Sequence, residues 1–291
     1  MLYYLIKELN NPVQLETDNL VIGFFDGIHH GHDKLFRDLP GKTTVLTFNF
    51  MKKNNLPIYS LEKRINLINE LYHPNSIVIM DLQKTNMDAV TFINTFLKQW
   101  KFKQIVVGED FKFGNDQLGV ELLKKHFLVK DISRNGDDIS TTKIKQFIAN
   151  GDIEQANKNL LREYSYTAIV IQGRQLGRQL GYKTANFIYD RNFVLPQDGI
   201  YITEAKLNDK WYQAITFIGA PETIDDVTSK QFETHLIDYN DGDFYGQELE
   251  VKFLKRLADT KKYASLNDLI EGIKIQVEQA KQYFLDRNNQ K

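Results

Sequence analysis

Apolar and polar positions follow two different patterns in the two halves of this 291-residue chain. In the first half, short apolar runs typical of buried strands alternate with stretches whose apolar residues recur at helical spacing. The predicted strands lie at residues 44–50, 76–80 and 104–108, and the predicted helices at 60–71 and 88–100. Because strand and helix alternate from Leu20 to about Val129, we expect a parallel α/β sheet there.

The second half begins with a polar, wholly helical pattern over residues 140–161 and changes character after Arg162. Strand-like stretches then follow one another directly, at residues 166–171, 199–207, 211–218, 232–237 and 248–257. Consecutive strands predict an antiparallel domain, here a small β-barrel. A long helix is expected to close it, because Ser265 and Asp268 resemble a capping box. The apolar stripe that follows has helical spacing and predicts core packing, at Leu266, Leu269, Ile270, Ile273, Val277, Ala280 and Phe284.

These patterns predict an α/β protein of two domains. Residues 1–161 are expected to form a Rossmann-like domain with a parallel sheet, and residues 162–291 a small antiparallel β-barrel closed by a long helix. A hydrophobic content of 42% is enough to bury a core in each domain.

Composition and charge exclude several classes of protein. The 37 Lys and Arg residues nearly balance the 38 Asp and Glu residues, which argues against a nucleic-acid binder because such proteins need a basic face. The absence of cysteine excludes disulfides and thiolate metal sites, and it fits a reducing compartment. Charges at Lys7 and Glu8 come too early for a signal peptide, and no apolar run approaches the ~20 residues of a membrane span. We therefore expect a cytoplasmic protein without nucleic-acid or membrane partners, whose oligomeric state has no signature in the sequence.

Residues 23–32 carry the most chemical information, and they read Gly-Phe-Phe-Asp-Gly-Ile-His-His-Gly-His directly after an apolar run. Their glycines let the backbone approach a ligand closely, and His29 and His32 lie at the start of a helical-looking stretch at residues 33–37. A helix N-terminus favours anions by about 0.3–1 kcal/mol when exposed. Two imidazoles there can donate to phosphate oxygens as negative charge develops. We interpret the segment as a phosphate-handling turn.

Other interpretations of this region stay open. A histidine in a turn is often a solvated or capping residue. His29, His30 and His32 could instead ligate a metal, although the other three histidines are distant in sequence and no His-Glu-x-x-His spacing exists. Residues 40–43, Pro-Gly-Lys-Thr, have the tail of a phosphate-binding loop, but a strand is predicted to follow where such a loop requires a helix. We interpret those four residues as a turn.

Four further motifs follow along the chain. The first of them, at residues 108–114, comes at the end of a predicted strand. Ligands bind there in parallel sheets, so this motif could meet the turn at residues 23–32. The glycines of the third motif, at residues 173–186, either serve turns or let backbone amides wrap a phosphate chain. The motifs are Gly-Glu-Asp-Phe-Lys-Phe-Gly at 108–114, Ser-Thr-Thr-Lys-Ile-Lys at 140–145, a glycine-rich run at 173–186, and Glu-Thr-His-Leu at 233–236 followed by Tyr-Gly at 245–246.

In this order the five motifs resemble those of the bacterial bifunctional riboflavin kinase/FAD synthetases, and the resemblance covers roughly residues 15–285. It implies two reactions. The C-terminal module would transfer the γ-phosphate of ATP to riboflavin and give FMN, and the N-terminal module would join FMN to AMP from a second ATP and give FAD and pyrophosphate. ATP, riboflavin and FMN are then the small-molecule substrates, and Mg²⁺ is the metal cofactor.

The resemblance also implies roles for individual residues. Glu233 would take the proton of the riboflavin hydroxyl, and Thr184 and Asn186 would hold Mg²⁺ and its phosphates. His29 and His32 would stabilise charge in adenylyl transfer, which needs no base because the FMN phosphate is already an anion. The residues implied to bind nucleotide or phosphate are Gly23, Phe25, Asp26, Gly27, Gly31, Gly108, Asp110, Ser140, Thr141 and Lys145 in the first domain and Gly173, Gly177, Arg178 and Gly181 in the second. Taken alone, Glu233 could be an ordinary carboxylate on a strand, and Thr184 and Asn186 could cap a turn.

Three positions depart from the family pattern. Lys183 stands where the family has proline, which leaves the segment freer or lets an ammonium help to neutralise phosphate. Lys145 stands where the family has arginine; it keeps the charge, loses the bidentate fork and predicts slower adenylyl transfer. Residues 48–52 lack a Pro-x-Pro sequence.

Two other functions are alternatives to this prediction. The first is a flavin- or nucleotide-binding regulator that has lost one of the two activities; retention of Glu233 speaks against it, because a binder needs no base. The second is an aminoacyl-tRNA-synthetase-like activating enzyme, which shares a His-x-Gly-His motif, but the chain has no Lys-Met-Ser-Lys-Ser sequence and no basic face for tRNA.

Overall fold

A computed structural model describes residues 2–6, 13–49, 55–133, 139–172, 183–188, 190–219, 231–240 and 242–289. The chain divides into two compact units, Met1–Thr141 and Thr142–Lys291. This division comes about 20 residues before the one at 161/162 that the sequence pattern suggested, so the helices between Thr142 and Asn159 belong to the second unit.

The first unit is built on a six-stranded sheet in which every neighbouring pair of strands is parallel, as predicted. Its order is β1-β4-β3-β2-β5-β8, and β6 and β7 form a separate hairpin. The strands are β1 (Leu2–Ile6), β2 (Asn19–Ile22), β3 (Thr43–Asn49), β4 (Ser76–Asp81), β5 (Gln104–Gly108), β6 (Lys112–Phe113), β7 (Leu118–Gly119) and β8 (Val129–Ile132). The helices are α1 (His30–Asp33), α2 (Leu61–Tyr72), α3 (Ala89–Thr95) and α4 (Val120–Lys124), with 3₁₀ turns at Lys34–Phe36 and Leu97–Gln99.

The central strands are buried on both faces, which explains why they are continuously apolar in sequence. Local signals set the helix ends: Ser60 Oγ accepts from the Lys63 amide before α2, and Asp88 Oδ1 accepts from the Thr91 amide before α3. The predicted helix at 88–100 is therefore α3 followed by a 3₁₀ turn. Residues 40–43 form a turn, as interpreted, with Gly41 at φ +81° and β3 beginning at Thr43.

The order of the strands marks the place where a ligand can enter. The chain passes from β2 to β3 and β4 on one side of the sheet and then crosses to β5 on the other side of β2. Ligands of open parallel sheets bind at such a switch point, beyond the carboxyl ends of the strands. The carboxyl ends of β2 and β5 lead into the motifs at 23–32 and 108–114.

The second unit is the predicted antiparallel β-barrel with its long helix. Six strands pair in the order β10-β13-β12-β11-β14-β9, and the Ile171 amide, just after β9, donates to the Asn186 carbonyl of β10 at 2.8 Å, which links the two edges. The strands are β9 (Ser165–Ile169), β10 (Thr184–Ile188), β11 (Gly199–Leu207), β12 (Lys210–Gly219), β13 (Gln231–Leu236) and β14 (Glu248–Ala258). The helices are α5 (Thr141–Ala149), which begins at the last residue of the first unit, α6 (Ile153–Asn159) and α7 (Leu266–Asn289).

Alternate residues of the barrel strands serve two different cores. The inner face holds an aromatic cluster in which Phe232 contacts Phe187 and Phe253, together with a ladder of buried hydroxyls. In that ladder Thr216 is 2.9 Å from both Thr203 and Thr234. The outer face packs against α7 through apolar residues that include Ile200, Ile202, Ile215, Val277, Ala280 and Phe284. The predicted apolar stripe of α7 is thus buried toward its C-terminal half, whereas Leu266 is exposed.

Candidate active sites

The turn after β2 is held in a strained and well-supported conformation. Phe25 is fully buried at φ +54°, in the left-handed region that a bulky residue rarely adopts, which costs about 1–3 kcal/mol. Its ring lies so close to Gly23 that a Cβ there would be 2.7 Å from it. Gly27 also has a positive φ, of +59°. The close approach that Gly23 allows is therefore to Phe25 in the same turn.

Asp26 is almost wholly buried and its carboxylate binds backbone amides of the chain itself. It accepts hydrogen bonds from the amide of Ile58 at 2.9 Å and from that of Tyr59 at 3.1 Å. This residue was expected to line the nucleotide pocket, and the structure shows it fixing the segment before α2 against the turn.

His29 caps α1 with its own side chain. Nδ1 accepts hydrogen bonds from the amides of Gly31 and His32, at 3.1 and 3.3 Å, so in the neutral ring the proton is on Nε2. Nε2 lies 3.4 Å from Thr141 Oγ1, and the Thr141 hydroxyl also lies 3.3 Å from the Asp26 carbonyl, to which it donates. The His29 side chain therefore presents its Nε2–H donor toward the start of α5.

The two histidines proposed for catalysis lie together. Their rings are stacked with centroids 3.8 Å apart, and the ring of Phe25 meets that of His32 edge-on at 5.3 Å. A Cβ on Gly31 would lie 2.9 Å from the His29 ring, so glycine is required there. The helix expected at 33–37 is instead the single turn α1 followed by a 3₁₀ turn, and its first amides are taken by His29. The first amides of α1 are thus already hydrogen-bonded, so a ligand at this turn would depend more on the imidazoles than on the helix N-terminus.

The other predicted residues of the first site lie at the end of β5 or around the start of α5. Gly108 ends β5, next to β2, and Asp110 follows it on the exposed turn in which the Phe111 amide donates to the Gly108 carbonyl. Ser140 immediately precedes α5, and Lys145 is one helical turn after Thr141.

The part of the chain that the structure describes contains no group of three or more His, Asp or Glu that could hold a metal ion.

Arg64 is a buried residue of this region that the sequence analysis did not identify. It lies on α2 and is 3% exposed, and its guanidinium donates to the carbonyls of Phe24 and Phe48 at 2.6 and 3.0 Å. Burial lowers the pKa of Arg64 to about 10, while the charge of Asp26 opposes that shift, so the side chain stays cationic at neutral pH. The available signal was its spacing, because Arg64, Leu67 and Ile68 form the buried face of α2.

The second predicted site lies on the outer face of the barrel, where β10 pairs with β13. Thr184 is directly opposite His235, and Asn186 is directly opposite Glu233. Cβ atoms of such pairs are about 4.5–5.5 Å apart, and residues two apart on a strand share a face. The four polar side chains therefore form one cluster, and the Thr184 hydroxyl accepts from Asn186 Nδ2 at 3.4 Å. Taken alone, Thr184 and Asn186 could have capped a turn, and the structure places both in strand β10.

Two neighbours modify this cluster. Burial lowers the pKa of His235, although its Nδ1 donates to the Lys183 carbonyl at 2.9 Å and that bond acts in the opposite direction. The Lys183 ammonium lies 3.0 Å from Asp243 Oδ1 and over the ring of Phe244, at 5.1 Å. Gly173, Gly177, Arg178 and Gly181 lie outside the described residues.

Comparisons with known proteins match both halves of the chain. A family model described as FAD synthetase matches residues 12–143, and one described as riboflavin kinase matches residues 160–284. A trifunctional protein RibF/MnmA of Mycoplasmoides gallisepticum is 37% identical over 279 residues, which are 96% of this chain and 41% of that relative. A bifunctional riboflavin kinase/FMN adenylyltransferase of Mycoplasma pneumoniae is 30% identical over 273 residues, which are 93% of this chain and 98% of that protein.

A solved structure shares the whole fold. The crystal structure titled macrolide-efflux protein from Streptococcus pneumoniae has a TM-score of 0.86 and 28% sequence identity, with 97% of this chain and 99% of that chain covered.

Over the described residues, this chain has no helix of the length and apolar character that crossing a membrane requires.

Proposed function

The chain belongs to the bifunctional riboflavin kinase/FMN adenylyltransferase family, and from that premise we propose which of its residues make FMN and which make FAD. It is an enzyme that uses ATP, riboflavin and FMN as substrates. We assign FMN adenylylation to the first unit and riboflavin phosphorylation to the second, in the order of the two family matches. A cytoplasmic location without nucleic-acid or membrane partners stays a prediction of the sequence.

The pairing of β10 with β13 is the single observation that carries the kinase assignment. It sets Asn186 opposite Glu233, so a carboxylate and two oxygen ligands face the same solvent-accessible side of the barrel. Glu233 would take the proton of the riboflavin 5′-hydroxyl as that oxygen attacks the γ-phosphorus and ADP leaves, an effect worth about 10²–10⁴-fold.

The residues on this face fit Mg²⁺. Thr184 and Asn186 offer uncharged oxygens, and Mg²⁺ bound with nucleotide commonly takes few protein ligands and keeps phosphate oxygens and waters. These two side chains would hold the ion, which would neutralise charge on the ATP phosphates. Glu233, opposite Asn186, would then act as the base and not as a metal ligand.

In the first unit the FMN phosphate would attack the α-phosphorus of ATP and pyrophosphate would leave. The nucleophile is already an anion, so the protein supplies position and charge stabilisation. The Nε2–H of His29 would donate to an α-phosphate oxygen in place of Thr141, and His32, stacked on His29, would donate to the same group of phosphates. Asp110 would complete the pocket, and a role of Lys145 stays a prediction of the sequence.

A crossed assay tests both assignments. The protein is incubated with ATP and Mg²⁺ and either riboflavin or FMN, and the flavins are separated by chromatography. Glu233→Gln should lower FMN formation by about 10²-fold or more and leave FAD formation from supplied FMN intact. His29→Asn combined with His32→Gln should do the reverse; Asn is chosen because its side chain can still cap α1.

Matched controls are exposed residues of the same type in the same unit. Glu248→Gln and His126→Asn should leave both rates within about twofold of the parent. A Glu233→Gln protein that phosphorylates riboflavin at the parent rate would show that Glu233 is not the base. If the unsubstituted protein binds flavin and yields only one of the two products, the rival function of a regulator that has lost one activity is correct.

A further inference from the structure

The guanidinium of Arg64 occupies a position where the helix pattern calls for an apolar side chain. It is 3% exposed and forms one face of α2 with Leu67 and Ile68. Burying a charge is strongly unfavourable unless hydrogen bonds compensate it. Such a residue is retained for what its hydrogen bonds hold in place.

Those hydrogen bonds join two neighbouring strands at the carboxyl edge of the sheet. Nη1 donates to the Phe24 carbonyl at 2.6 Å and to Thr47 Oγ1 at 3.3 Å, and Nη2 donates to the Phe48 carbonyl at 3.0 Å. Thr47 Oγ1 donates to the Phe24 carbonyl as well, at 3.2 Å. The guanidinium also lies 4.2 Å from the centre of the Phe24 ring. Phe24, just after β2, is thus bound to the end of β3.

The residue that follows Phe24 is the strained one. A phenylalanine at φ +54° persists when the surrounding structure fixes the chain on both sides of it. Arg64 fixes the carbonyl before Phe25, and the carboxylate of Asp26 fixes the chain after it through the amides of Ile58 and Tyr59. The strain is therefore held between two buried charged groups.

The conformation of Phe25 determines where the imidazoles lie. Its ring rests on Gly23 and meets His32 edge-on, and His32 is stacked on His29. We propose that Arg64 is a positioning residue for adenylyl transfer, which holds the Phe24–Phe25 turn and through it sets His32 and His29 for the α-phosphate. This inference rests on the proposed roles of the two histidines.

Arg64→Met is the main test, because it keeps the apolar stem of the side chain and removes the buried charge together with its hydrogen bonds. The variant leaves the carbonyls of Phe24 and Phe48 without this donor and is expected to be less stable, so its activities are measured at a temperature at which thermal unfolding shows it to be folded. We expect kcat for FAD formation to fall about 30- to 100-fold, with KM for ATP and FMN within about threefold, since small displacements of catalytic groups act on kcat. FMN formation from riboflavin, in the second unit, should stay at the parent rate.

Three comparisons make the result specific. Lys63→Met removes one positive charge from the same helix and should leave FAD formation within about twofold. Arg64→Lys keeps the charge and loses the fork, so it should recover at most part of the rate. Thr47→Val removes the other donor to the Phe24 carbonyl with little change in shape, and it should lower kcat for FAD formation several-fold.

A spectroscopic signature separates positioning from a merely structural role. In the parent protein the side-chain ¹⁵N shifts of His29 should report protonation at Nε2, and in Arg64→Met this signature should become averaged between the two tautomers. Parent-like FAD formation in a folded Arg64→Met protein, or an unchanged His29 signature with lost activity, would overturn the inference. Should His29→Asn leave FAD formation intact, the proposed function of the turn itself fails, which is a different result from a silent Arg64→Met.

Discussion

Lys183 immediately precedes the first proposed Mg²⁺ ligand, and its ammonium is already neutralised within the protein. It lies 3.0 Å from Asp243 Oδ1, donates to the Gly242 carbonyl and faces the ring of Phe244. The lysine thereby ties the start of β10 to the segment before Tyr245. The ammonium thus has partners within the protein at the position where the family resemblance implies a proline.

We expect Lys183→Met to raise KM for ATP in the kinase reaction by about two- to fivefold, because a half-exposed ion pair is worth at most about 1 kcal/mol. Asp243→Asn should have the same effect, and the double variant should be no worse than either single one. Steady-state kinetics of all three proteins measures this coupling.

The matched control is Lys281→Met, which removes the lysine of another surface pair, 3.3 Å from Asp238. A much larger effect of Lys183→Met than of Asp243→Asn, with additive effects in the double variant, would contradict the role of this ion pair as a structural link. It would identify the ammonium as a ligand of ATP phosphate.

At the scale of elements, the sequence predicted most strands of the two sheets and did not predict β10. The predicted strands at 104–108 and 199–207 coincide with β5 and β11. The sequence analysis considered Thr184 and Asn186 as metal ligands or turn caps and predicted no strand there. The alternation of β10 was nevertheless present, since the buried residues Ala185 and Phe187 alternate with Thr184 and Asn186.

The contacts within the sites were less accessible to sequence reasoning. No local pattern says that Asp26 accepts amides from residues more than 30 positions away, or that Arg64 reaches Phe24. Such pairings depend on which strands become neighbours. The motifs therefore indicated the candidate sites, and the sheet order determined which of their residues lie side by side.

The hydroxyl ladder across β11, β12 and β13 leads to a prediction about stability. Thr216→Val should lower the free energy of unfolding of the second unit by about 1–3 kcal/mol, because the buried hydroxyls of Thr203 and Thr234 would each lose a partner. Denaturant unfolding measures it. Thr216→Ser keeps the hydroxyl and serves as the control. Replacing all three threonines by valine should recover part of the loss, and a triple variant worse than Thr216→Val would contradict this account.

At the scale of the whole molecule, the second unit needs the helix before its barrel. Asn157 of α6 donates to the Phe253 carbonyl of β14 at 2.8 Å, and its Oδ1 accepts from the Tyr164 amide at 2.8 Å. Ile153 and Leu160 are also buried. We therefore expect the division at Thr142 to mark the folding unit, with α6 as part of it.

We expect a fragment of residues 142–291 to fold and to phosphorylate riboflavin, and a fragment of residues 162–291 to be less stable by about 3–6 kcal/mol. The lost burial of Ile153 and Leu160 is the reason, and thermal unfolding of the two fragments is the measurement. Ile153→Ala combined with Leu160→Ala in the longer fragment should reproduce much of the loss. Equal melting temperatures of the two fragments would show that α6 is dispensable.

The alternation along β13 has an evolutionary consequence. Phe232 faces the aromatic interior and Glu233, its neighbour in sequence, faces the reacting side, so substitutions can alter either face while the other stays intact. An insertion or deletion of one residue within Gln231–Leu236 exchanges the faces: it drives the carboxylate among the aromatic rings and turns the phenylalanine outward. Over evolutionary time we therefore expect this strand to accept substitutions far more often than insertions or deletions of a single residue.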